Sequence, residues 1–322
     1  MKILVTGAAG FIGTNLCEYF LKEGHCVVGL DNFATGFKDN LTPFFTHPNF
    51  HFIEGDIRSF ADCLKATTEV DYVLHQAALG SVPRSIKDPI TSANVNINGF
   101  LNMLEASKQN GIKRFVYAAS SSTYGDSKSL PKVEGRIGKP LSPYAVTKYV
   151  NELYADIYGT TYGLETIGLR YFNVFGRRQT PNGAYAAVIP KFIGQFLKGT
   201  SPQINGDGTF SRDFTYIDNV LQMNHLAIKT KNPDAVNQVF NTAVGDRITI
   251  KEMAETIKKG LIKYQKEVAG IPLKYGPERL GDIPHSHASI EKAKNLLNYI
   301  PSHDFNEGIE ASLEWYYNNL IV

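Results

Sequence analysis

Cysteine is scarce in this chain. The three present, Cys17, Cys26 and Cys63, contain no C-x-x-C pair. An odd count without that spacing argues against a disulfide framework and against a zinc site, and free buried thiols in a reducing compartment are expected. A dominant charge is also missing: 33 Lys and Arg against 31 Asp and Glu leave a formal net charge of +2. With no long block of like charge and no basic stripe interleaved with aromatics, nucleic acid is not expected as a partner. No stretch approaches the ~18 apolar residues of a membrane span. The apolar opening, residues 1–5, stops at Thr6-Gly7, too early for a secretory signal, so a cytoplasmic protein is expected. Internal repeats, low-complexity segments and an obvious linker are absent as well.

What is present is an alternation. Apolar runs at 2–5, 25–30, 50–54, 72–76, 114–119 and 165–169 read as strands, and helical spacing over 11–23, 61–66, 97–109 and 144–162 falls between them. Strands alternating with helices imply right-handed crossovers and a parallel sheet, with ligands bound at the carboxyl ends of the strands. Beyond Tyr171 the pattern breaks into Gly- and Pro-rich stretches, although 238–242 has the character of a strand that rejoins the sheet. The expected architecture is α/β: a Rossmann-type, doubly wound parallel sheet over 1–174, rejoined by about 214–245. A smaller substrate-binding lobe is then contributed by 175–213 and 246–322.

Between the first strand and the first helix lies Thr6-Gly7-Ala8-Ala9-Gly10-Phe11-Ile12-Gly13. Its glycines are spaced G-x-x-G-x-x-G, a variant of the dinucleotide fingerprint G-x-G-x-x-G. The physics is shared: glycines admit a pyrophosphate to the backbone, and the helix N-terminus offers open N–H groups and a positive dipole end. Asp31 closes the second strand 18 residues after Gly13, where a carboxylate reads the ribose 2′-hydroxyl and repels a 2′-phosphate. The next residue is Asn32 rather than Arg, so NAD is the expected cofactor. Asp56, in Gly55-Asp56-Ile57 after the third strand, is a candidate acceptor for the adenine amino group. Gln76-Ala77-Ala78, after the fourth, offers small residues to the pyrophosphate and ribose.

Tyr144 and Lys148 stand at i and i+4 and share one helix face. A tyrosine with its usual pKa of about 10 is a poor base, and lowering it by ~3 units needs about 4 kcal/mol. One positive charge ~4 Å away supplies about that at an effective dielectric of 20. Lys148 is therefore expected to pull Tyr144 down toward neutral pH and to hold the nicotinamide ribose. Ser120, Ser121 and Ser122 end the fifth strand, where a serine can carry a proton between the reacting hydroxyl and the tyrosine.

Taken in order, Thr6–Gly13, the Ser120-to-Gly125 turn, Tyr144-x-x-x-Lys148 and Arg170-Tyr171-Phe172-Asn173-Val174-Phe175-Gly176 resemble the extended short-chain dehydrogenase/reductase superfamily over essentially the whole chain. More closely, HQAALGSVPRS (75–85), AASSSTYGD (118–126), SPYAVTKYVNE (142–152) and LRYFNVFGRRQTPNGAYAA (169–187) are similar to the bacterial UDP-N-acetylglucosamine 4-epimerases of surface-polysaccharide biosynthesis. Ala8 departs from the commoner Gly but stays small. The resemblance implies that Tyr144 takes the proton of the sugar 4-hydroxyl while NAD takes the hydride from C4. The 4-keto sugar then rotates, and the hydride returns to its other face. By position Ser120 is the family's serine, with Ser121 and Ser122 left open. Asn96 and Tyr171 match positions near the nicotinamide, and Asn173 one near the diphosphate.

On the substrate side the resemblance implies that Arg212 and Arg279 hold the UDP diphosphate, as arginine forks suit phosphates, and that Asp282 meets the ribose. Ala187, Val188, Gln203 and Asn205 match uridine-binding stretches. Gly80, Ser81, Val82 and Arg84 lie beside the sugar site, in a loop that Pro83 stiffens. Ser286 occupies a position where a bulky Tyr would crowd the sugar 2-substituent, so room for an N-acetyl group is expected. His285 and His287 flank it without an acidic or Cys partner nearby, and no metal is expected.

Competing readings are epimerisation of UDP-N-acetylglucosaminuronate, with Arg84 on the carboxylate, and a non-catalytic NAD-binding regulator. A 4,6-dehydratase resembles Asp-Glu where Ser121-Ser122 stand. The family also implies a homodimer formed through helices around 98–109 and 144–158. Leu101, Leu104 and Leu153 fit that role or packing on the sheet.

Overall fold

A computed structural model describes residues 1–181, 186–278 and 283–320. Its first six strands are β1 (Lys2–Thr6), β2 (Cys26–Asp31), β3 (Phe50–Glu54), β4 (Tyr72–His75), β5 (Arg114–Ser120) and β6 (Thr166–Tyr171). Four two- or three-residue strands follow: β7 (Val174–Phe175), β8 (Gln203–Asn205), β9 (Ser211–Arg212) and β10 (Thr215–Tyr216). Then come β11 (Gln238–Thr242), β12 (Ile248–Thr249) and β13 (Lys274–Gly276). Seven of these form one sheet in the order β11-β6-β5-β4-β1-β2-β3, parallel throughout. Their near-continuous apolar character follows from burial on both faces. The strand order reverses between β1 and β4, and this switch point opens a crevice at the carboxyl edge. The fold is the Rossmann-type α/β architecture expected, and 238–242 does rejoin the sheet, beside β6.

The helices cover both faces: α1 (Phe11–Lys22), α2 (Phe60–Thr67), α3 (Val82–Lys87), α4 (Pro89–Ala93), α5 (Gly99–Gln109), α6 (Pro143–Tyr162), α7 (Val188–Leu197), α8 (Ile217–Lys229), α9 (Ile250–Leu261), α10 (Glu291–Leu297) and α11 (Phe305–Leu320). The longest, α6, shows why such segments form. The Ser142 side chain caps the N-terminus by accepting from Ala145 N, Pro143 occupies the first turn, and Gly163 ends the helix in the left-handed region at φ 72°.

The helix expected over 97–109 begins earlier. Helices α4 and α5 are joined by a π turn, Asn94–Asn98, so helical backbone runs from Pro89 to Gln109. The segment expected as a Pro-stiffened loop is α3 instead, with Ser81 as its cap and Pro83 in its first turn. Of the leucines with two possible roles, Leu104 is fully buried in the core, whereas Leu153 on α6 is half exposed.

No helix of the described residues is long and apolar enough to cross a membrane.

Candidate active site

A groove of about 400 Å³ lies at the switch point. Gly7, Gly10, Phe11, Ile12, Gly13, Asp31, Asn32, Asp56, Ile57, Gln76, Ala77 and Ala78 all line it, as does Gly80. Two glycines are required by crowding. Gly7 has φ +67°, and a side chain there would meet Ala77 N at 2.9 Å, while a Cβ on Gly13 would lie 2.0 Å from Gly7 O. Helix α1 has Gly10 at its N-cap position and no side-chain cap, which leaves its first amides open toward the groove.

Asp31 has a second task that the sequence did not show. Its carboxylate accepts from Ala9 N (2.9 Å) and Phe33 N (2.7 Å), tying the glycine loop to the end of β2. Burial raises its pKa, against these backbone bonds. Asp56 is held by a fork from Arg58 and by Asn32 Nδ2 at 2.9 Å. Arg58 keeps the Asp56 carboxyl ionised down to about 2. Arg58 itself lines the groove and was not singled out from the sequence, where nothing distinguishes it from a surface arginine.

Asn96 and Tyr171 act as struts behind the groove. From the π turn, the Asn96 amide pairs with both backbone groups of Leu79, accepting from its N–H (2.8 Å) and donating to its carbonyl (3.2 Å). It also donates to Thr147 Oγ1 on α6 (3.1 Å). The Tyr171 hydroxyl donates to Gln76 Oε1 (3.1 Å) and accepts from Asn224 Nδ2 (2.9 Å). His75 is buried beside the groove, hydrogen-bonded to the Thr6 hydroxyl at 2.9 Å. Desolvation, with the Lys148 charge second, pushes its pKa down to about 3, so it is neutral.

Ser120, Tyr144 and Lys148 meet where β5 ends. Ser120 Oγ accepts from Ser122 Oγ (2.9 Å) and from Ser122 N (3.2 Å), and it lies against the Tyr144 hydroxyl. Lys148 is buried, its Nζ donating to Ala118 O at 2.8 Å. The expected electrostatics require correction. Burial raises the Tyr144 pKa, with the Ser120 bond opposing it, rather than Lys148 lowering it. The physical reason is that the ammonium is itself desolvated and turned to a carbonyl. Its own pKa falls to about 8 through burial, with Glu152 acting the other way.

Helix α3 brings the neighbouring loop to Tyr144. Ser85 Oγ accepts from Tyr144 N (3.0 Å) and donates to Val82 O (2.8 Å), while Ser81 caps Arg84 N. Gly80, Ser81, Val82 and Arg84 therefore sit beside the start of α6.

Farther out, Arg212 on β9 donates to Ser211 O and Pro284 O. Ser286 N donates to Ser211 O (3.0 Å), and Asn173 Nδ2 to Asp213 O (2.9 Å). Asn173 and Ser286 are thus each tied to the backbone of the segment that bears Arg212. Ala187 and Val188 open α7, while Gln203 and Asn205 lie on β8, paired with β13. Arg279 and Asp282 lie outside the described residues. His285 Nδ1 pairs with Ser211 Oγ and His287 Nε2 with Gly245 O. Among the described residues, no three His, Cys, Asp or Glu side chains group as metal ligands.

The crowded glycines, the open α1 amides and the carboxylate of Asp31 fit NAD: amides for the pyrophosphate, Asp31 for the adenosine ribose, and Lys148 at the nicotinamide end. Comparison with known proteins agrees. The NAD dependent epimerase/dehydratase family model matches residues 3–243. The UDP-glucose 4-epimerase of Mycolicibacterium smegmatis is 34% identical over 321 residues, covering 99% of each chain. Two solved structures superpose closely. The UDP-N-acetylglucosamine 4-epimerase of Methanobrevibacter ruminantium, in complex with UDP-N-acetylmuramic acid, shows 38% identity, a TM-score of 0.91 and 98% coverage of both chains. The UDP-glucuronic acid 4-epimerase of Bacillus cereus, with UDP-glucuronic acid and NAD, shows 33% identity, a TM-score of 0.87 and 99% coverage of both. A glycine loop crowded against β4, a serine–tyrosine–lysine cluster at the end of β5 and a family match across three quarters of the sequence lead to one conclusion: the chain belongs to the NAD dependent epimerase/dehydratase family.

Proposed function

We propose that the protein is a UDP-sugar 4-epimerase whose substrate is UDP-N-acetylglucosamine, interconverted with UDP-N-acetylgalactosamine. The observation that carries this reading is that Ser120, at the end of β5, lies against Tyr144, with Lys148 one turn along α6 and bonded back to β5 through Ala118 O. When bound, NAD would supply a reversible hydride acceptor for the sugar C4. The protein handles the proton. Tyr144 receives it from the 4-hydroxyl, Ser120 bridges hydroxyl and phenol, and Lys148, one turn along α6, holds the nicotinamide ribose.

The relatives named above carry the names of different UDP sugars, and in this chain the sugar choice rests on Ser286, whose amide bonds the β9 strand that bears Arg212. Its small side chain leaves space for an N-acetyl group. The proposed division of labour gives 1–174 and about 214–245 to NAD, and 175–213 with 246–322 to the UDP-sugar. A homodimer through α5 and α6 is part of the proposal, supported by the half-exposed stripe Val146, Leu153 and Ile157 on α6.

The test is to incubate the purified protein with UDP-N-acetylglucosamine, without added cofactor, and follow the sugar H1 and H4 signals by proton NMR. Appearance of UDP-N-acetylgalactosamine is expected. Turnover of UDP-N-acetylglucosaminuronate instead would transfer the reading to the uronate, and silence on both, even with NAD added, would favour a regulator. Ser286→Tyr should abolish turnover of the N-acetylated sugar while leaving NAD bound; unchanged turnover removes Ser286 from the sugar pocket.

A further inference from the structure

Helix α6 carries a second polar row beside Tyr144 and Lys148. Thr147 and Asn151 stand one turn apart on it, both at most 3% exposed. The reaction as derived uses neither. Their bonds run to one residue of the π turn. Asn151 Nδ2 donates to Asn96 O at 2.7 Å. Thr147 Oγ1 donates to Tyr144 O at 2.8 Å and accepts from Asn96 Nδ2 at 3.1 Å. The helix bearing Tyr144 thus grips Asn96 twice, by its main-chain carbonyl and by its side-chain amide.

An asparagine amide has two donor hydrogens. Asn96 gives one to Thr147 and the other to Leu79 O, while its Oδ1 accepts from Leu79 N. Both donors are therefore taken up inside the protein, and the side chain is a bracket between α6 and the backbone that follows β4. What the bracket holds is a wall of the groove: Leu79 and Gly80 line it, as do Thr91 and Val95 just before Asn96. The end of the groove to which this wall belongs follows from α3, the helix after Gly80, whose Ser85 accepts from Tyr144 N. The wall lies toward Tyr144 and Lys148, the end given to the nicotinamide, and away from Asp31. π turns are rare and occur mostly as single turns at functional sites. Here the turn sets Asn96 at the junction of wall and helix.

We propose that Asn151 and Thr147 are positioning residues for the cofactor: acting through Asn96, they fix the Leu79–Gly80 wall against α6 and so shape the nicotinamide half of the groove, leaving the adenosine half to Asp31 and the glycine loop. The inference rests on the family's NAD and is independent of which sugar is turned over.

The holoprotein is equilibrated with increasing ADP-ribose, which lacks only the nicotinamide, and the NAD released into an ultrafiltrate is measured. The midpoint reports the ratio of the two affinities. Asn151→Ala and Thr147→Val are each expected to shift that ratio about fivefold toward ADP-ribose, the size that loss of one or two buried hydrogen bonds supports. A general loosening of the fold weakens both ligands alike and leaves the ratio unchanged, so an unchanged ratio in both variants, whatever their melting temperatures, overturns the proposal. Where Asn151→Ala does not fold, Thr147→Val, which keeps the shape of the side chain, decides alone. Where the natural protein releases no NAD at the highest ADP-ribose concentration, release from a variant supports the proposal and release from none refutes it. No sugar enters the measurement, so failure of every UDP-sugar to turn over would sink the epimerase reading and leave this result standing.

Discussion

At the scale of single residues, the three adjacent serines are no longer equivalent. Ser120 accepts both the hydroxyl and the amide hydrogen of Ser122, so its own proton is left for Tyr144. Ser120→Ala should therefore lower kcat by about 10²-fold, within the range of general acid–base contributions. Ser122→Ala, which removes a supporting donor, should cost clearly less. Steady-state rates at saturating sugar check the order; equal losses would place the proton path through Ser122. The resemblance put Ser120 first but left Ser121 and Ser122 open, because a turn of three serines presents identical chemistry until its backbone is fixed. Tyr144 shows a different limit. A lysine four residues away fixes proximity, but not that the ammonium would be buried and turned to Ala118 O. The contacts of Asp213 were illegible for a related reason, since they depend on partners supplied by other parts of the chain.

At the scale of elements, the glycine loop is a packing constraint before it is a binding site. A methyl group on Gly13 would sit 2.0 Å from the Gly7 carbonyl, far inside van der Waals contact, and the backbone cannot yield without moving Gly7 away from Ala77. Gly13→Ala is thus expected to purify without NAD and to melt at a lower temperature. Absorbance of the released nucleotide and a thermal melt measure the two effects, and a variant retaining full NAD would show that the loop tolerates the shift. The strands and the long helix α6 were legible because buried parallel strands and capped helices leave strong patterns. Two elements were not. Pro83 looked like a stiffener of a loop, although proline in a first turn is compatible with a helix. Asn94-Val95-Asn96-Ile97-Asn98 has no helical apolar period, because its π turn serves the hydrogen bonds of Asn96 rather than the core.

At the scale of the whole molecule, distant stretches converge on one buried carboxylate. Asp213 is fully buried and accepts from Val244 N (3.0 Å), Gly245 N (3.1 Å) and Ala288 N (3.3 Å). It thereby joins the segment bearing Arg212 to the end of β11 and to the stretch after Ser286. Composition and periodicity could not reveal this junction, because its three donors are backbone amides far away in the chain. Burial raises the Asp213 pKa from 3.8 to about 7, with the three amides opposing it. Between those values the folded state holds a proton that the unfolded chain has lost, so this group's contribution to stability falls as pH rises from about 4 to about 7. The full effect is at most roughly 4 kcal/mol, at 1.36 kcal/mol per pKa unit. Asp213→Asn removes the titration. At pH 4 both side chains are neutral, and the variant suffers only from replacing one acceptor oxygen by a donor. At pH 8 the natural protein alone bears the buried charge. Denaturant melts across this range should therefore show the stability of Asp213→Asn improving relative to the natural protein as pH rises. A difference that stays constant with pH would mean that Asp213 is ionised throughout, its charge carried by the three amides.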